Sequence, residues 1–213
     1  MSESRRAKIF LETLRESGID EIFLSVPRTQ GETLSGLKEE VLRCIKCADL
    51  VQNRKSVVFG SGNPKAKLVF IGEAPGAEED RQGLPFVGAA GQLLTKMIEA
   101  IKLRREEVFI ANVLKCRPPG NRPPQPIEIQ NCEPYLARQL ALIRPKLICA
   151  LGTFAARTIL KTSVPISSLR GKIHDYRGIP VLCTFHPAYL LRNPSEKKKA
   201  WEDLKKLRAL LDQ

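Results

Sequence analysis

Four runs of six residues, nearly all apolar, punctuate the chain: 67–72 (Lys-Leu-Val-Phe-Ile-Gly), 108–113 (Val-Phe-Ile-Ala-Asn-Val), 146–151 (Lys-Leu-Ile-Cys-Ala-Leu) and 180–185 (Pro-Val-Leu-Cys-Thr-Phe). Each is continuous rather than alternating, the pattern of a strand covered on both faces. Between them the apolar positions recur at helical spacing: residues 89–101 (Leu93, Leu94, Met97, Ile98, Ile101), 127–143 and 153–160. Strands that alternate with helices predict an α/β fold, here a three-layer α/β/α arrangement with a central parallel sheet of about four strands. A helix is expected over residues 5–17, with Ile9, Phe10 and Leu14 on one side and Gly18 as its stop. A polar stretch with Gly31 and Gly36 follows, then a second helix running into Cys44. A last amphipathic helix over 195–211 sets Trp201, Leu204, Leu207 and Leu211 beneath a Lys-rich face. Internal repeats and low-complexity tracts are absent from the sequence. The expected organisation is one domain over residues 1–213, with 1–43 as an N-terminal helical extension.

Composition narrows the class. At 213 residues, 43% hydrophobic and 27% charged, the chain is neither a disordered segment nor a membrane bundle. No apolar run approaches the ~18–20 residues that span a bilayer. The opening Met-Ser-Glu-Ser-Arg-Arg lacks the apolar stretch of a signal peptide, so a cytoplasmic location is expected. The net charge is +12, and it is unevenly placed. Residues 1–43 hold 7 bases and 8 acids, 44–101 hold 7 and 6, and 102–213 hold 21 and 9. A charge skewed to one half of a chain suits a polyanionic partner, although a solubilising surface accounts for charge alone equally well.

Ligands of open α/β sheets sit outside the carboxyl ends of the strands. There the first run continues into Gly72-Glu-Ala-Pro-Gly76, the second ends at Asn112, and the fourth leads to His186-Pro187. Three strand ends thus bring polar, turn-forming residues to one rim. The six cysteines divide by context. Cys149 and Cys183 lie within apolar strands and read as core residues. Cys44, Cys47, Cys116 and Cys132 lie outside the strand patterns, spaced C-x2-C, then 68 residues, then C-x15-C. Four thiolates can enclose zinc or an iron–sulfur cluster, and spacing alone does not separate the two. Residues 117–126 (Arg-Pro-Pro-Gly-Asn-Arg-Pro-Pro-Gln-Pro) follow Cys116 directly, and their prolines predict a stiff, extended, basic loop without helix.

These residues also carry a resemblance. Residues 72–80 (Gly-Glu-Ala-Pro-Gly-Ala-Glu-Glu-Asp), with 83–88 (Gly-Leu-Pro-Phe-Val-Gly), resemble the first motif of the family 4 uracil-DNA glycosylases. Residues 112–122 (Asn-Val-Leu-Lys-Cys-Arg-Pro-Pro-Gly-Asn-Arg) are similar to the family's second block, and 186–192 (His-Pro-Ala-Tyr-Leu-Leu-Arg) to its DNA-engaging motif. The four-cysteine spacing is similar to that of its [4Fe–4S] cluster, which the resemblance favours over zinc, with Cys44, Cys47, Cys116 and Cys132 as ligands. The resemblance runs in order from about Cys44 to Leu211.

It implies a monofunctional DNA repair enzyme that flips uracil out of double- or single-stranded DNA and hydrolyses its N-glycosidic bond, acting as a monomer without a membrane. Gly72, Glu79, Phe86, Asn112 and His186 become the candidate substrate-binding residues. Phe86 would stack on the extruded base. The Asn112 amide, one acceptor and one donor, suits uracil N3–H and O4 and mismatches cytosine. His186 would donate to a uracil oxygen as charge grows there. Glu79 would fill the space beside uracil C5. Ala74 stands where related families place a water-activating Asp or Asn, which leaves Glu73 and Asn121 as candidates beside His186 in the catalytic set. Asp80 reads as an N-cap of the helix that follows. Leu190 and Leu191 would wedge into the stack while Arg192, Arg170 and Lys172 hold phosphates. His174, without a comparable setting, reads as structural. Residues 117–126 lack the histidine-bearing insertion of the X-type enzymes, and Glu73 is the acid that family 5 replaces. A non-catalytic, metal-stapled nucleic-acid-binding domain is the alternative reading. An iron–sulfur electron carrier is a third, with no use for an Asn–His–Phe pocket.

Overall fold

Each of the four apolar runs forms a strand, and its alternate residues enter different cores. The computed structural model describes residues 31–212, so the helix expected over 5–17 lies outside the described residues. In chain order the elements are α1 (Leu34–Leu42), α2 (Ala48–Asn53), β1 (Ser61–Gly62), β2 (Leu68–Gly72), α3 (Ala77–Gln82), α4 (Ala89–Ala100), β3 (Phe109–Asn112), α5 (Pro126–Ile143), β4 (Leu147–Leu151), α6 (Gly152–Leu160), α7 (Ile166–Leu169), β5 (Ile173–Tyr176), β6 (Ile179–Thr184), α8 (Pro187–Arg192) and α9 (Lys197–Leu211). The sheet order is β1-β3-β2-β4-β6-β5. Strands β3, β2, β4 and β6 are mutually parallel, with Gly72 opposite Asn112 and Leu151 opposite Thr184 at their carboxyl ends. The short edges β1 and β5 run antiparallel.

The sheet separates two apolar layers. Val69 and Ile71 of β2, Ile148 and Ala150 of β4, and Val181 and Cys183 of β6 pack with α1, α2, α5, α6 and α7. Leu68, Phe70, Leu147, Cys149, Leu151 and Leu182 pack on the opposite side with α4, α8 and α9. This alternation is the period-2 geometry of a pleated strand, with both faces covered. Each fully buried Leu, Ile or Phe contributes about 1.5–3 kcal/mol, so the continuous runs are what the layered fold requires. Cys149 and Cys183 are fully buried, on opposite faces of the sheet. Among the described residues, no helix is long and apolar enough to cross a membrane.

Three local expectations change. Two edge strands join the predicted four: β1 is a Ser-Gly pair, and β5 buries only Tyr176, so neither carries an apolar run. The proline loop contains a short 3-10 turn, Pro119–Asn121, made possible by left-handed backbone at Gly120 and Asn121. Arg122 then ties the loop to α2 and α5 through Asp49 and Glu128. In α9, Ala200, Asp203, Leu204 and Leu207 face inward while Trp201 stays 40% exposed, because the buried stripe lies one residue round from the one the sequence suggests. Leu204→Ala should therefore lower unfolding free energy by about 2–5 kcal/mol in urea titrations. Trp201→Ala, on the solvent side, should change it by less than about 1 kcal/mol.

A candidate active site at the carboxyl ends of the strands

The carboxyl ends of the parallel strands open into a cavity of about 950 Å³. Glu73 and Ala74 enter it after β2, Asn112 closes β3, Gly152 follows β4, and His186 follows β6. Asn112 is 1% exposed, and neither its Oδ1 nor its Nδ2 meets a protein hydrogen-bond partner. Leaving such a buried polar atom unpaired costs about 1–3 kcal/mol, so the site is built for something that supplies one donor and one acceptor. Gly72 makes room for it. A Cβ there would stand 2.4 Å from Asn112 Oδ1 and 2.5 Å from Phe86 Cζ. The glycine is needed for space, and the amide and the ring share the space it leaves.

Phe86 holds a left-handed backbone conformation, φ 51°, which a bulky side chain rarely adopts. Such strain costs on the order of 1–3 kcal/mol and persists only when neighbours impose it. Two groups do so. Glu79 accepts the N–H groups of Val87 and Gly88 at 2.9 Å each, and its other oxygen accepts that of Gly76. Arg105 donates to the Pro85 carbonyl at 2.7 Å and to Thr95 Oγ1 at 3.0 Å. Burial lowers the pKa of this guanidinium, and the nearby Glu79 opposes the shift. Helix α4 approaches closely enough that a Cβ on Gly91 would lie 1.9 Å from the Phe86 carbonyl. Glu79 therefore lines the cavity with both carboxylate oxygens committed to the backbone. Its neighbour Asp80 does not cap α3: it is buried and accepts from the Lys55 and Ser56 N–H groups, while Gly76 takes the cap position.

The His186 ring stands 5.5 Å from that of Phe86, centroid to centroid, inclined by 33°. The Ala188 N–H donates to its Nδ1 at 3.1 Å, which leaves the proton of a neutral ring on Nε2. Burial, helped by the charge of Arg192 and opposed by Glu79, pushes its pKa down to about 4. The ring is thus a neutral donor at physiological pH. Burial alone raises the pKa of Glu73, whose side chain also lines the cavity. His174 donates to the Leu169 carbonyl across 2.9 Å, in keeping with a structural role.

The rim residues sort themselves by the axis of α8. Leu191 is 43% exposed and Arg192, also exposed, lines the cavity, but Leu190 is 1% exposed and belongs to the core. Of the two leucines expected at the wedge, only Leu191 reaches the surface. Arg170 faces the cavity, yet its guanidinium forms a two-point ion pair with the buried Asp203 and lies 5.3 Å from the Phe185 ring. Its charge holds the chain around β6 together, since Asp203 also accepts from Thr184 Oγ1 at 2.7 Å. Lys172 is exposed beyond the cavity wall. Asn121 is at the cavity mouth, with its Oδ1 taken by Arg117 Nε at 2.8 Å.

The Uracil DNA glycosylase superfamily matches residues 59–205. Type-4 uracil-DNA glycosylase from Archaeoglobus fulgidus is 46% identical over 184 residues, covering 83% of this chain and 92% of that one. The type-4 enzyme from Sulfurisphaera tokodaii is 47% identical over 188 residues, 84% and 85% of the two chains. That from Saccharolobus solfataricus is 45% identical over 189, or 84% and 87%. The chain belongs to this superfamily, among its type-4 members.

The cysteines that the type-4 resemblance singles out gather on the α5 side of the sheet. Cys116 and Cys132 are buried in the core, with Cys44 and Cys47 packed against it. Three sulfurs already receive N–H donors: Cys116 from Arg54 at 3.0 Å, Cys132 from the Lys115 backbone at 3.4 Å, and Cys47 from Asn131 at 3.5 Å. Burial pushes the Cys132 thiol up to about 11 and raises that of Cys116 as well. Among the described residues, no three His, Cys, Asp or Glu side chains stand close enough to hold a single metal ion. Four thiols, three of them facing N–H donors and one of those donors the Arg54 cation, are the donor chemistry of a thiolate-bound metal or iron–sulfur group. Arg54, Arg105 and Lys115 escaped sequence reading, although Lys115 immediately precedes Cys116 within the quoted second block.

The His186 geometry is open to direct measurement. ¹⁵N NMR across pH should find a pKa of about 4 and the Nε2–H tautomer. Because the unfolded imidazole protonates near 6.5, acidification from there toward 4 favours the unfolded chain, and urea stability should fall over that window. A ring that titrates at or above 6.5 would contradict the buried neutral donor.

Proposed function

We propose that the protein is a monofunctional uracil-DNA glycosylase that hydrolyses the N-glycosidic bond of flipped-out uracil in DNA, releasing uracil and an abasic site. The observation that carries the reading is the buried, unpartnered Asn112 amide beside Phe86 and His186. Similarity to enzymes named as type-4 uracil-DNA glycosylases supports it. Oδ1 of Asn112 accepts uracil N3–H and Nδ2 donates to O4. Cytosine offers an acceptor and a donor in the same places and leaves both amide atoms opposed. Phe86 takes the face of the base. The remaining carbonyl, O2, receives the Nε2–H of His186, a neutral donor that needs no protonation step as the bond to C1′ breaks and charge passes to the base.

We assign Glu73 to the departing sugar: its carboxylate balances the positive charge at C1′ and orients the attacking water, whose proton it can accept. Asn121 is less suited, since Arg117 already occupies its Oδ1. Glu79 serves as wall and loop clamp. On the DNA side we assign Leu191 to the gap left by the base and Arg192 to phosphate, with Lys172 extending the contact. The protein acts as a monomer in the cytoplasm on this reading. We further propose that Cys44, Cys47, Cys116 and Cys132 hold a [4Fe–4S] cluster. When bound it staples the proline loop to α2 and α5 and takes no part in a hydrolysis that moves no electrons.

Incubation with single- and double-stranded DNA carrying one uracil, followed by alkaline cleavage, should produce scission at the uracil. Absence of scission on every uracil substrate would overturn the enzyme reading in favour of a binding domain. Asn112→Ala and His186→Ala should each lower the excision rate by about 10²–10³-fold. The pH profile should carry no inflection from His186 near neutrality, because that ring is already neutral, and the rate should fall on acidification as Glu73, its pKa raised by burial, takes up a proton. Purified protein should be brown, with iron and acid-labile sulfide; zinc in their place would refute the cluster.

A further inference from the structure

Lys115 is 1% exposed, a buried cation whose two hydrogen-bond acceptors are neutral and whose nearby charge partners are the Cys132 and Cys116 sulfurs. Its Nζ donates to the backbone carbonyl of Asn112 at 2.8 Å and to Gln139 Oε1 at 2.6 Å. Gln139, itself 1% exposed on α5, passes the contact on by donating to the Phe59 carbonyl at 2.9 Å. Neither acceptor is a carboxylate. The Lys115 backbone is held as tightly: its N–H donates to Cys132 Sγ and its carbonyl accepts from Val58 at 2.7 Å. Cys116 comes next in the chain.

Stability alone does not account for this arrangement. Burying an ammonium against neutral acceptors is unfavourable, the nearby Cys132 and Cys116 sulfurs offset that burial only in part, and an apolar side chain of similar volume would fill the same space. What the ammonium does that a methionine would not is fix the last carbonyl of β3. Asn112 is the final residue of that strand, where the ladder to β2 ends. The following N–H groups of Val113 and Leu114 still bond to Gly72 and Glu73, at 3.0 Å each. Those bonds hold the donor side of the segment, and Lys115 holds the Asn112 acceptor. The peptide that carries the reading amide is therefore pinned from both sides.

We infer that Lys115, seated by Gln139, is a positioning residue for the Asn112 amide, and that it ties base reading to the cysteine site one residue away. The inference rests on the uracil-excision reading and deepens it. Lys115 touches neither base nor DNA. Its loss moves an amide that must meet two atoms of the base at once, while the exposed rim that grips phosphate is untouched. Misplacement on this scale acts on the chemical step and spares DNA affinity.

The test compares full-length parent, Lys115→Met, Gln139→Leu and Gln139→Glu in single-turnover excision from uracil-containing DNA, with KM for that DNA and near-visible absorbance measured in parallel. Lys115→Met and Gln139→Leu should slow excision at saturating DNA by about tenfold to a hundredfold. KM should stay within about threefold of the parent and the absorbance should be retained. Gln139→Glu, which keeps the acceptor for Lys115, should recover most of the rate. Excision within about threefold of the parent in a folded Lys115→Met protein would overturn the inference. Should Lys115→Met fail to fold or lose its absorbance, Gln139→Leu, seven positions from Cys132 along α5, decides by the same criteria. A rate loss matched by an equal rise in KM would also count against positioning. An inactive parent would instead mark failure of the uracil reading itself, a distinct outcome.

Discussion

A buried side-chain amide that no protein group pairs is the constraint on which the rest of this molecule depends. Asn112 can hold that state only if its strand does not move, its neighbours leave a base-sized space, and nothing in the protein pairs with it first. The parallel ladder to β2 meets the first condition, and Gly72 the second, since any side chain there would collide with the amide and with Phe86. The third is met by keeping other polar groups occupied. Glu79 is saturated by backbone N–H groups, Arg170 by Asp203, and His186 Nδ1 by Ala188. What remains turned toward the cavity with free polar atoms includes the Asn112 amide, His186 Nε2 and the Glu73 carboxylate.

The surrounding strain follows from the same requirement. A ring beside the amide has to come from a loop, because the strand end itself is filled by Gly72. That loop reaches its position only through a left-handed Phe86, held by Glu79 on one side and Arg105 on the other. The basic half of the chain is likewise more structured than its charge suggests. Arg122, Arg138 and Arg170 are taken up by acidic partners that join the proline loop, α1 and α9 to the body. Of the cations that face outward, Arg192 and Lys199 line the cavity, whereas others such as Arg144, Lys146, Arg157 and Arg177 are exposed away from its lining.

The central strands and long helices were legible because continuous apolar runs and helical periodicity are driven by burial, which acts directly on residue type. The edge strands were not, since Ser61–Gly62 and Ile173–Tyr176 owe their conformation to a neighbour's free edge more than to their own hydrophobicity. Asn112 and His186 could be picked out at strand ends, and Phe86 through the 83–88 loop segment of the motif that carries the resemblance. Leu190 and Leu191 could not be told apart, because which of two adjacent helical residues faces the core depends on how α8 lies on α4 and α9. Arg170 likewise looked like a phosphate contact until Asp203, 33 residues later, proved to share its site. Lys115, although it sits beside Cys116 in a quoted motif, left no sequence signal of its burial: a lysine inside a basic block reads as solvent-exposed, and only packing reveals that it is enclosed.

The central claim is that the Asn112 amide recognises uracil by pairing both of its buried atoms at once. The most direct measurement is the ¹⁵N-edited NMR signal of its side-chain NH₂ as free uracil, cytosine or thymine is added to the protein. The account predicts that uracil displaces this signal in a saturable way, and that cytosine, with its donor and acceptor reversed, leaves it in place. An Asn112 signal that responds equally to uracil and cytosine, or to neither while uracil perturbs residues elsewhere, would contradict it.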